Sequence, residues 1–356
     1  MKAPFLVFGH DTVECAYFLS HQGKPQIDYQ WLSMEKEKLK LDKTRTPKLI
    51  RLGSLEFLLH SYGTSSGYRY LIENSEFLIS FNEYSSPSFF VKFKCRALWQ
   101  HGLESLHRQF MDWTLTVGLK PDREESLSRV DFAFDLSLPS PDFSEDDFVS
   151  LSNKDSRYRN NRKTQTFQFG KSDIVLRVYN KVDEISESSE KTWFYDIWGT
   201  DEHVWRIEWQ CRKEILKRFS IRSVSDLAVG QGDLLHYLAH EHDTLRVPND
   251  DSNRSRWPLH PLWVELQNEI SQLNHQGVYR EIDPLKSLDE RLMRIAISIN
   301  GNLKQVAAID CVKHDKQMTS VQEAFSLLQS KIKLAYDPLT WNLEVQKRIN
   351  ALRMKS

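Results

Sequence analysis

Three stretches alternate apolar and polar side chains with period two, and this constrains the fold more than any other feature of the chain. In SRVDFAFDL (128–136), Val130, Phe132, Phe134 and Leu136 point one way; Arg129, Asp131, Ala133 and Asp135 point the other. In DIVLRVY (173–179), Ile174, Leu176 and Val178 oppose Val175, Arg177 and Tyr179. In HVWRIEWQC (203–211), Trp205, Ile207, Trp209 and Cys211 oppose Val204, Arg206, Glu208 and Gln210. Successive side chains of a strand alternate between the two faces of a sheet. Each stretch is therefore expected to be a strand with an apolar inner face and a polar face turned outward.

If the three strands share a sheet, one surface gathers Asp131, Asp135, Glu208, Tyr179 and the arginines 129, 177 and 206. Oxygen donors of this kind suit Mg2+ or Mn2+. Arginines neutralise phosphate oxygens, and a tyrosine hydroxyl can attack phosphorus when its phenolate is stabilised. The plain alternative is a set of cross-strand Arg–Asp and Arg–Glu pairs that only stabilise the sheet.

The first part of the chain, to about residue 212, reads mainly as strands, and the remainder mainly as helices. Within the first part, Trp99, Leu103, Leu106, Phe110, Trp113 and Val117 predict one helix over 97–117, stopped by Gly118. A shorter helix is expected from Pro141 and Asp142 to about Leu151. A helix is expected from Ser223 to about His242, followed by a polar hinge at PNDDSNRSR (248–256). Ser287 with Glu290 predicts a capped helix ending at Gly301. A second helix over 302–310 and a third opened by Thr319 and Gln322 would follow. Those three helices fit either a DNA-recognising helix-turn-helix or a bundle that dimerises. The expected fold class is α+β, an antiparallel sheet covered by helices and followed by a mainly helical C-terminal region. The expected organisation is a catalytic domain over 1–245, a linker and connecting helix over 246–285, and a helical region over 286–356.

A net charge of −1 argues against a nonspecific nucleic-acid coat. Charge is uneven, however. KDSRYRNNRK (154–163) concentrates Arg157, Arg159, Arg162 and Lys163 around Tyr158 and reads as a solvated loop or a phosphate-contacting rim. Lys36 to Arg51 is a second basic run with the same two readings. Four scattered cysteines without a CxxC pair argue against a disulfide framework or a cysteine zinc site. No stretch approaches the roughly 18 apolar residues that span a bilayer, and the amino terminus lacks signal-peptide features. A cytoplasmic protein without membrane contact is expected.

The runs RVDFAFD, TFQFGKSDIVLRVYNKVDE and RIEWQCR together resemble the replication initiation factor family, over about residues 60–270. That family comprises rolling-circle plasmid initiators, related conjugative-element relaxases and replication proteins of filamentous phages. The sharpest element is YNK-x-x-E, here Tyr179, Asn180, Lys181 and Glu184. RWPLHPLW (256–263) points to the phage branch. The resemblance implies a site-specific nickase in which Tyr179 attacks the origin strand, retains its 5′ phosphate and releases a 3′-OH. It implies Asp131, Glu208 and Glu184 as metal ligands and Lys181 and Arg177 at the scissile phosphate, with Asp135 left as a possible partner of Arg206. Arg129 and Arg206, with the 157–163 run, would contact DNA. Origin DNA, a host helicase and a host polymerase are the implied partners, and a homodimer is compatible.

Three other readings stand beside it. One is an origin-binding protein without cleavage, and another is a conjugative relaxase of the same family. The third is a zinc hydrolase built on His236, His240 and His242, a cluster read more simply as helical surface. Tyr84, in the turn NEYSSP, is a candidate second nucleophile.

Overall fold

The structure, a computed structural model, describes residues 5–23, 26–41, 46–152, 155–160, 163–273 and 284–353. It is of the α+β class and divides into two compact units, Met1–Tyr279 and Arg280–Ser356.

In the first unit the chain opens with β1 (Phe5–Tyr17), β2 (Leu19–His21), α1 (Tyr29–Leu41), β3 (Lys48–Leu52) and β4 (Leu55–Leu59). Then come β5 (Tyr70–Glu73), β6 (Phe77–Phe81), β7 (Phe89–Phe93), α2 (Cys95–His101) and α3 (Leu103–Thr116). β8 (Leu119–Pro121), β9 (Ser126–Ser137), β10 (Phe148–Ser150), β11 (Asp155–Asn160), β12 (Lys163–Phe169) and β13 (Ile174–Asn180) follow. The unit closes with α4 (Lys181–Glu184), α5 (Trp193–Trp198), β14 (Val204–Arg212), α6 (Lys213–Arg218), α7 (Val224–Tyr237), β15 (Asp243–Leu245) and α8 (Pro261–Ser271). The second unit holds α9 (Pro284–His314), α10 (Val321–Ala335) and α11 (Pro338–Arg353).

Among the described residues, eleven strands form one sheet in the order β11-β12-β13-β14-β9-β1-β7-β6-β5-β4-β3. Every neighbouring pair is antiparallel. The three alternating stretches are therefore adjacent strands, β13, β14 and β9. Their register aligns Leu176 with Trp209 and Phe132, and Val178 with Ile207 and Phe134. This apolar face meets helices. Phe110 of α3 packs on Phe77, Trp113 of α3 on Phe57, and Trp263 of α8 lies edge-on to Trp209. Burying each such side chain contributes roughly 1.5–3 kcal/mol.

Several local expectations give way to tertiary structure. The helix expected over 97–117 is broken at Gly102, whose φ of 73° costs a glycine nothing and divides α2 from α3. Residues 141–151 hold only a Ser144-capped single turn and then β10, because pairing with β15 and the packing of Phe148 on Phe143 and Phe167 favour a strand. The basic run 154–163 is not a loop. Its described residues, 155–160 and Lys163, stand on β11 and β12, an edge hairpin in which Arg157 pairs with Phe167 and Tyr158 with Thr166, while Lys154 and Arg162 lie outside the described residues. In the second basic run, Lys36 is buried and donates to the Arg69 carbonyl, Lys38 and Lys48 both pair with Glu35, and Lys43 and Arg45 lie outside the described residues.

The stretch expected to be a hinge is fastened down. Val247 N donates to the Pro258 carbonyl, Arg254 to the Phe148 carbonyl and Trp257 Nε1 to the Asp251 carbonyl. Beyond it, Trp263, Leu266 and Ile270 of α8 enter the main core. In the second unit, α9 runs straight through Gly301, where an exposed glycine costs a helix only about 1 kcal/mol. The next helix starts one residue later than expected, with Ser320 and Glu323 forming the capping box.

Candidate active site

Register alone assembles the polar face of the three strands. Tyr179 lies opposite Arg206, which lies opposite Asp135; Arg177 opposes Glu208; Gln210 opposes Asp131. Residues directly opposite on antiparallel strands point to the same side, so the seven side chains expected together are together. Most of them do not, however, face solvent; Arg129 and Arg177 are partly exposed. Asp131, Asp135, Arg206, Glu208 and Gln210 are buried, and Tyr179 is only 9% exposed.

Over Arg206 and Asp135 lies a second, smaller apolar cluster of Ile185, Phe194, Trp198 and Val204, with Trp99 and Val182 packed against it. It is built from α2 and from the segment that runs from α4 through α5. Asn180 ends β13 and starts α4 by accepting hydrogen bonds from the backbone of Val182 and Asp183. After one widened helical turn over Ile185–Ser189, Glu190 (φ 53°) turns the chain into α5, and Gly199 (φ 68°) ends it. α5 thus sits between two left-handed residues.

Beneath it, Arg206 is clamped from both sides. Its Nε and Nη2 donate to Asp135 at 2.6 and 2.8 Å, and its Nη1 donates to Asp11 at 2.5 Å. The Phe194 ring lies 4.6 Å from the guanidinium, and Trp198 Nε1 donates to Asp135 at 2.9 Å. Arg206 was expected to contact DNA; with no exposed surface and two carboxylates on it, it instead organises the interior of the site.

Asp11 is the residue the sequence did not disclose. β1 carries a bulge there, because His10 pairs with Phe132 and Thr12 with Asp131, leaving Asp11 without a cross-strand partner. The extra residue shifts the phase of the strand, so Asp11 joins the polar face along with Gly9 before it and Glu14 after it. It also accepts from Cys95 Sγ at 3.2 Å and faces Lys191 at 3.6 Å. A Cβ on Gly9 would stand 3.1 Å from the Trp99 ring, which would have to yield by a few tenths of an ångström.

The nucleophile candidate has a base beside it. Tyr179 Oη donates to Glu208 Oε2 at 2.9 Å, while Arg177 Nη1 donates to Glu208 Oε1 at 3.0 Å. Lys181 is buried against the rings of Tyr179 and Phe194, 5.5 and 5.4 Å from their centres, and pairs with Glu184 at 2.5 Å. Burial, and then the negative charge of Glu208, push the Tyr179 phenol well above its usual range. The hydroxyl is therefore protonated until a base takes its proton. Burial also opposes the charge on Arg206, but Asp135, Tyr179 and Asp11 more than offset it and hold its pKa well above the ordinary value. Burial lowers Lys181, and Arg206 adds to that effect. Burial, against the pull of Arg129 and with the repulsion of Glu208, lifts Asp131 to about 6.

The expected metal ligands do not form one centre. Asp131 takes Arg129 Nε and Nη2 at 2.8 and 2.5 Å, and Glu208 spends its two oxygens on Tyr179 and Arg177. Glu184 turns to Lys181 and to Ser189 Oγ at 3.1 Å. Asp131 and Glu208 neighbour each other, but among the described residues no group of three His, Cys, Asp or Glu side chains is placed to hold a metal ion. The three-carboxylate set implied by the resemblance does not fit this arrangement. Arg129, expected at DNA, likewise serves Asp131 and lies 3.8 Å from Glu14.

No family model matches the sequence, and no curated protein matches it either. Among solved structures, the chain is similar to a rolling-circle replication initiator protein from Geobacillus stearothermophilus, with 18% identity and a TM-score of 0.43. The match covers 75% of this chain and 97% of that one.

The remaining candidates separate from the site. Tyr84 is 89% exposed, with Glu83 beside it. His236 and His240 stack 3.8 Å apart on a helix, but His242 is buried and bonded to Asp243, so the zinc grouping is not assembled. No helix among the described residues is long and apolar enough to cross a membrane.

Proposed function

We propose that this protein is a rolling-circle replication initiator that nicks one strand of its origin with Tyr179. The observation that carries the reading is the 2.9 Å hydrogen bond from the Tyr179 hydroxyl to Glu208, with Arg177 on the other carboxylate oxygen and Lys181 against the ring. A phenol with a raised pKa is a poor nucleophile on its own. A carboxylate within hydrogen-bond reach remedies this by general-base catalysis. The sequence resemblance supplies the substrate class: a phosphodiester of origin DNA.

In this reading Tyr179 Oη attacks phosphorus as its proton passes to Glu208. The Tyr179 O–P bond forms, the bond from phosphorus to the 3′ oxygen breaks, and the proton returns from Glu208 to that oxygen. The products are a 5′-phosphotyrosine and a free 3′-OH, from which a host polymerase would extend after a helicase opens the strand. Rejoining is the reverse, with Glu208 taking the proton of an incoming 3′-OH. Arg177, with its side chain 28% exposed, and Lys181 would face the phosphate oxygens, where positioned cations stabilise developing charge. Arg206 is a positioning residue, held by Asp11 and Asp135.

With Tyr179 buried, DNA would reach the hydroxyl only after its surroundings move, and α5, which lies between the left-handed Glu190 and Gly199, is the segment placed to turn. The same burial favours a second reading, an origin-binding protein whose tyrosine never meets a phosphate. Glu208→Gln discriminates between them. On supercoiled DNA carrying the protein's own origin, with and without Mn2+, nicking by the variant should fall by roughly 10²–10⁴-fold. A variant that nicks at the wild-type rate removes Glu208 from the mechanism, and a wild-type protein that binds without nicking supports the second reading.

A further inference from the structure

Three arginines of the polar face are held in two different ways. Arg206 has two carboxylates, Asp135 and Asp11, and no exposed surface. Arg129 also lies between two, Asp131 and, at 3.8 Å, Glu14. At both places the nearby negative charge exceeds the positive, so neither guanidinium has charge to offer a ligand. Arg177 differs. Among the described residues its carboxylate partner is Glu208, and its other two partners are neutral amides. Nε donates to Gln168 Oε1 at 3.2 Å and Nη2 to Gln210 Oε1 at 3.4 Å.

Register builds this cradle. Gln168 of β12 and Glu208 of β14 stand directly opposite Arg177 of β13, and Gln210, two residues beyond Glu208, is diagonal to it. Each of the three guanidinium nitrogens gives one hydrogen bond, so the plane of the group is fixed from three sides. A guanidinium has five N–H groups, and among the described residues one on each terminal nitrogen remains uncommitted. The Arg177 side chain is 28% exposed, which leaves those groups within reach of a ligand. Gln210 is buried, where an amide is tolerated only with a partner. An Arg–Glu pair that served the sheet alone would need neither amide.

We propose that Gln168 and Gln210 are positioning residues that hold Arg177 on the phosphate while Glu208 carries the proton of Tyr179. This rests on the reading of Tyr179 as nucleophile and Glu208 as its base. In that reading Glu208 begins as a carboxylate and becomes a neutral acid as the Tyr179 O–P bond forms. The negative charge passes to the phosphoryl oxygens, and Arg177 stays positive throughout. At that moment the ion pair that anchored the guanidinium is discharged. The two amide oxygens still hold it and, being neutral, leave its charge to the phosphoryl group, where a positioned cation has its largest effect. Carboxylates at those two positions would hold the arginine as firmly but would cancel that charge.

The test is the single-turnover cleavage rate of a single-stranded oligonucleotide spanning the protein's origin, at saturating full-length protein with and without Mn2+. The Kd for the same oligonucleotide is measured beside it. Gln168→Met keeps the length of the side chain and removes the acceptor. Its cleavage rate should fall by about 10–100-fold, the size of loss that a misplaced catalytic group gives, with a much smaller change in Kd. Gln168→Glu keeps the acceptor but adds a charge, and should be at least as slow. In an Arg177→Ala background Gln168→Met should cost little more, because both act through one group. A purely structural role would give the same loss with and without Arg177. Should Gln168→Met lose its folded signal in circular dichroism, Gln168→Asn carries the same cycle with an amide on a shorter stem. A Gln168→Met or Gln168→Glu protein as fast as the wild type, or additive losses in the cycle, overturns the proposal and leaves Tyr179 in its role. A wild-type protein that binds the oligonucleotide without cleaving it removes the nucleophile reading, and the proposal with it.

Discussion

The two faces of β9, β13 and β14 are both buried, but they are buried in different ways. One face holds Phe132, Phe134, Leu176, Ile207 and Trp209 against helices, where removal from water is favourable without further conditions. The other buries Asp131, Asp135, Arg206 and Glu208, with a small aromatic cover over Arg206 and Asp135, and there every charge needs a partner to be tolerated. A buried ion pair is weak support for stability, since apolar side chains of similar size often do as well. A sheet that needed only to be stable would have no use for the second face. Its pairing is complete in a way that suits chemistry, with one carboxylate on the tyrosine and two on the arginine opposite it.

The first way to break this comparison is to remove the central charge. Arg206→Met leaves Asp135 and Asp11 buried without their cation and should cost about 3–5 kcal/mol in denaturant unfolding. Adding Asp135→Leu to it should recover most of that loss, because the interior then needs one partner fewer. A single variant as stable as the wild type would mean that the clamp contributes nothing.

The second prediction is a pH slope. Asp131 has a folded-state value raised from 3.8 to about 6, so the folded protein holds the proton more tightly than the unfolded chain. Its contribution is full below pH 3.8 and is lost as pH rises to about 6, a difference of roughly 3 kcal/mol at most. His10, brought down to about 4 by burial, acts in the opposite direction over an overlapping range. The useful quantity is therefore the difference between wild type and Asp131→Asn, which should grow between pH 4 and 6; a constant difference contradicts the raised value.

The smallest effect is at the cover. Trp198→Phe keeps the ring and deletes one hydrogen bond to Asp135, so it should cost about 1 kcal/mol. It should also speed proteolysis within Ile185–Ser189. Unchanged cleavage would mean that Trp198 does not hold the segment down.

The sequence made the strands legible because alternation depends only on backbone geometry. Arg177, Tyr179, Arg206 and Glu208 share a face for that reason alone. The cover over that face was not legible, since Phe194 and Trp198 reach it through tertiary contacts that leave no periodic trace. Asp11 was hidden by the bulge that delivers it, because an inserted residue breaks the alternation on which the reading relied. Gly118 was expected to stop a helix that Gly102 had already interrupted, and Gly301 was expected to stop one that passes through it. A glycine permits a break, and packing decides whether one occurs. The carboxylates of the presumed metal site were individually visible, but their partners were not: nothing in the spacing indicates that Glu184 turns to Lys181.

The central claim rests on one oxygen. The most direct test incubates the protein with a single-stranded oligonucleotide spanning its origin and looks by mass spectrometry for a peptide carrying a 5′-phosphoryl nucleotide. The account predicts the adduct on Tyr179, and its absence from a folded Tyr179→Phe protein. An adduct on any other residue, or one that survives in Tyr179→Phe, would contradict it.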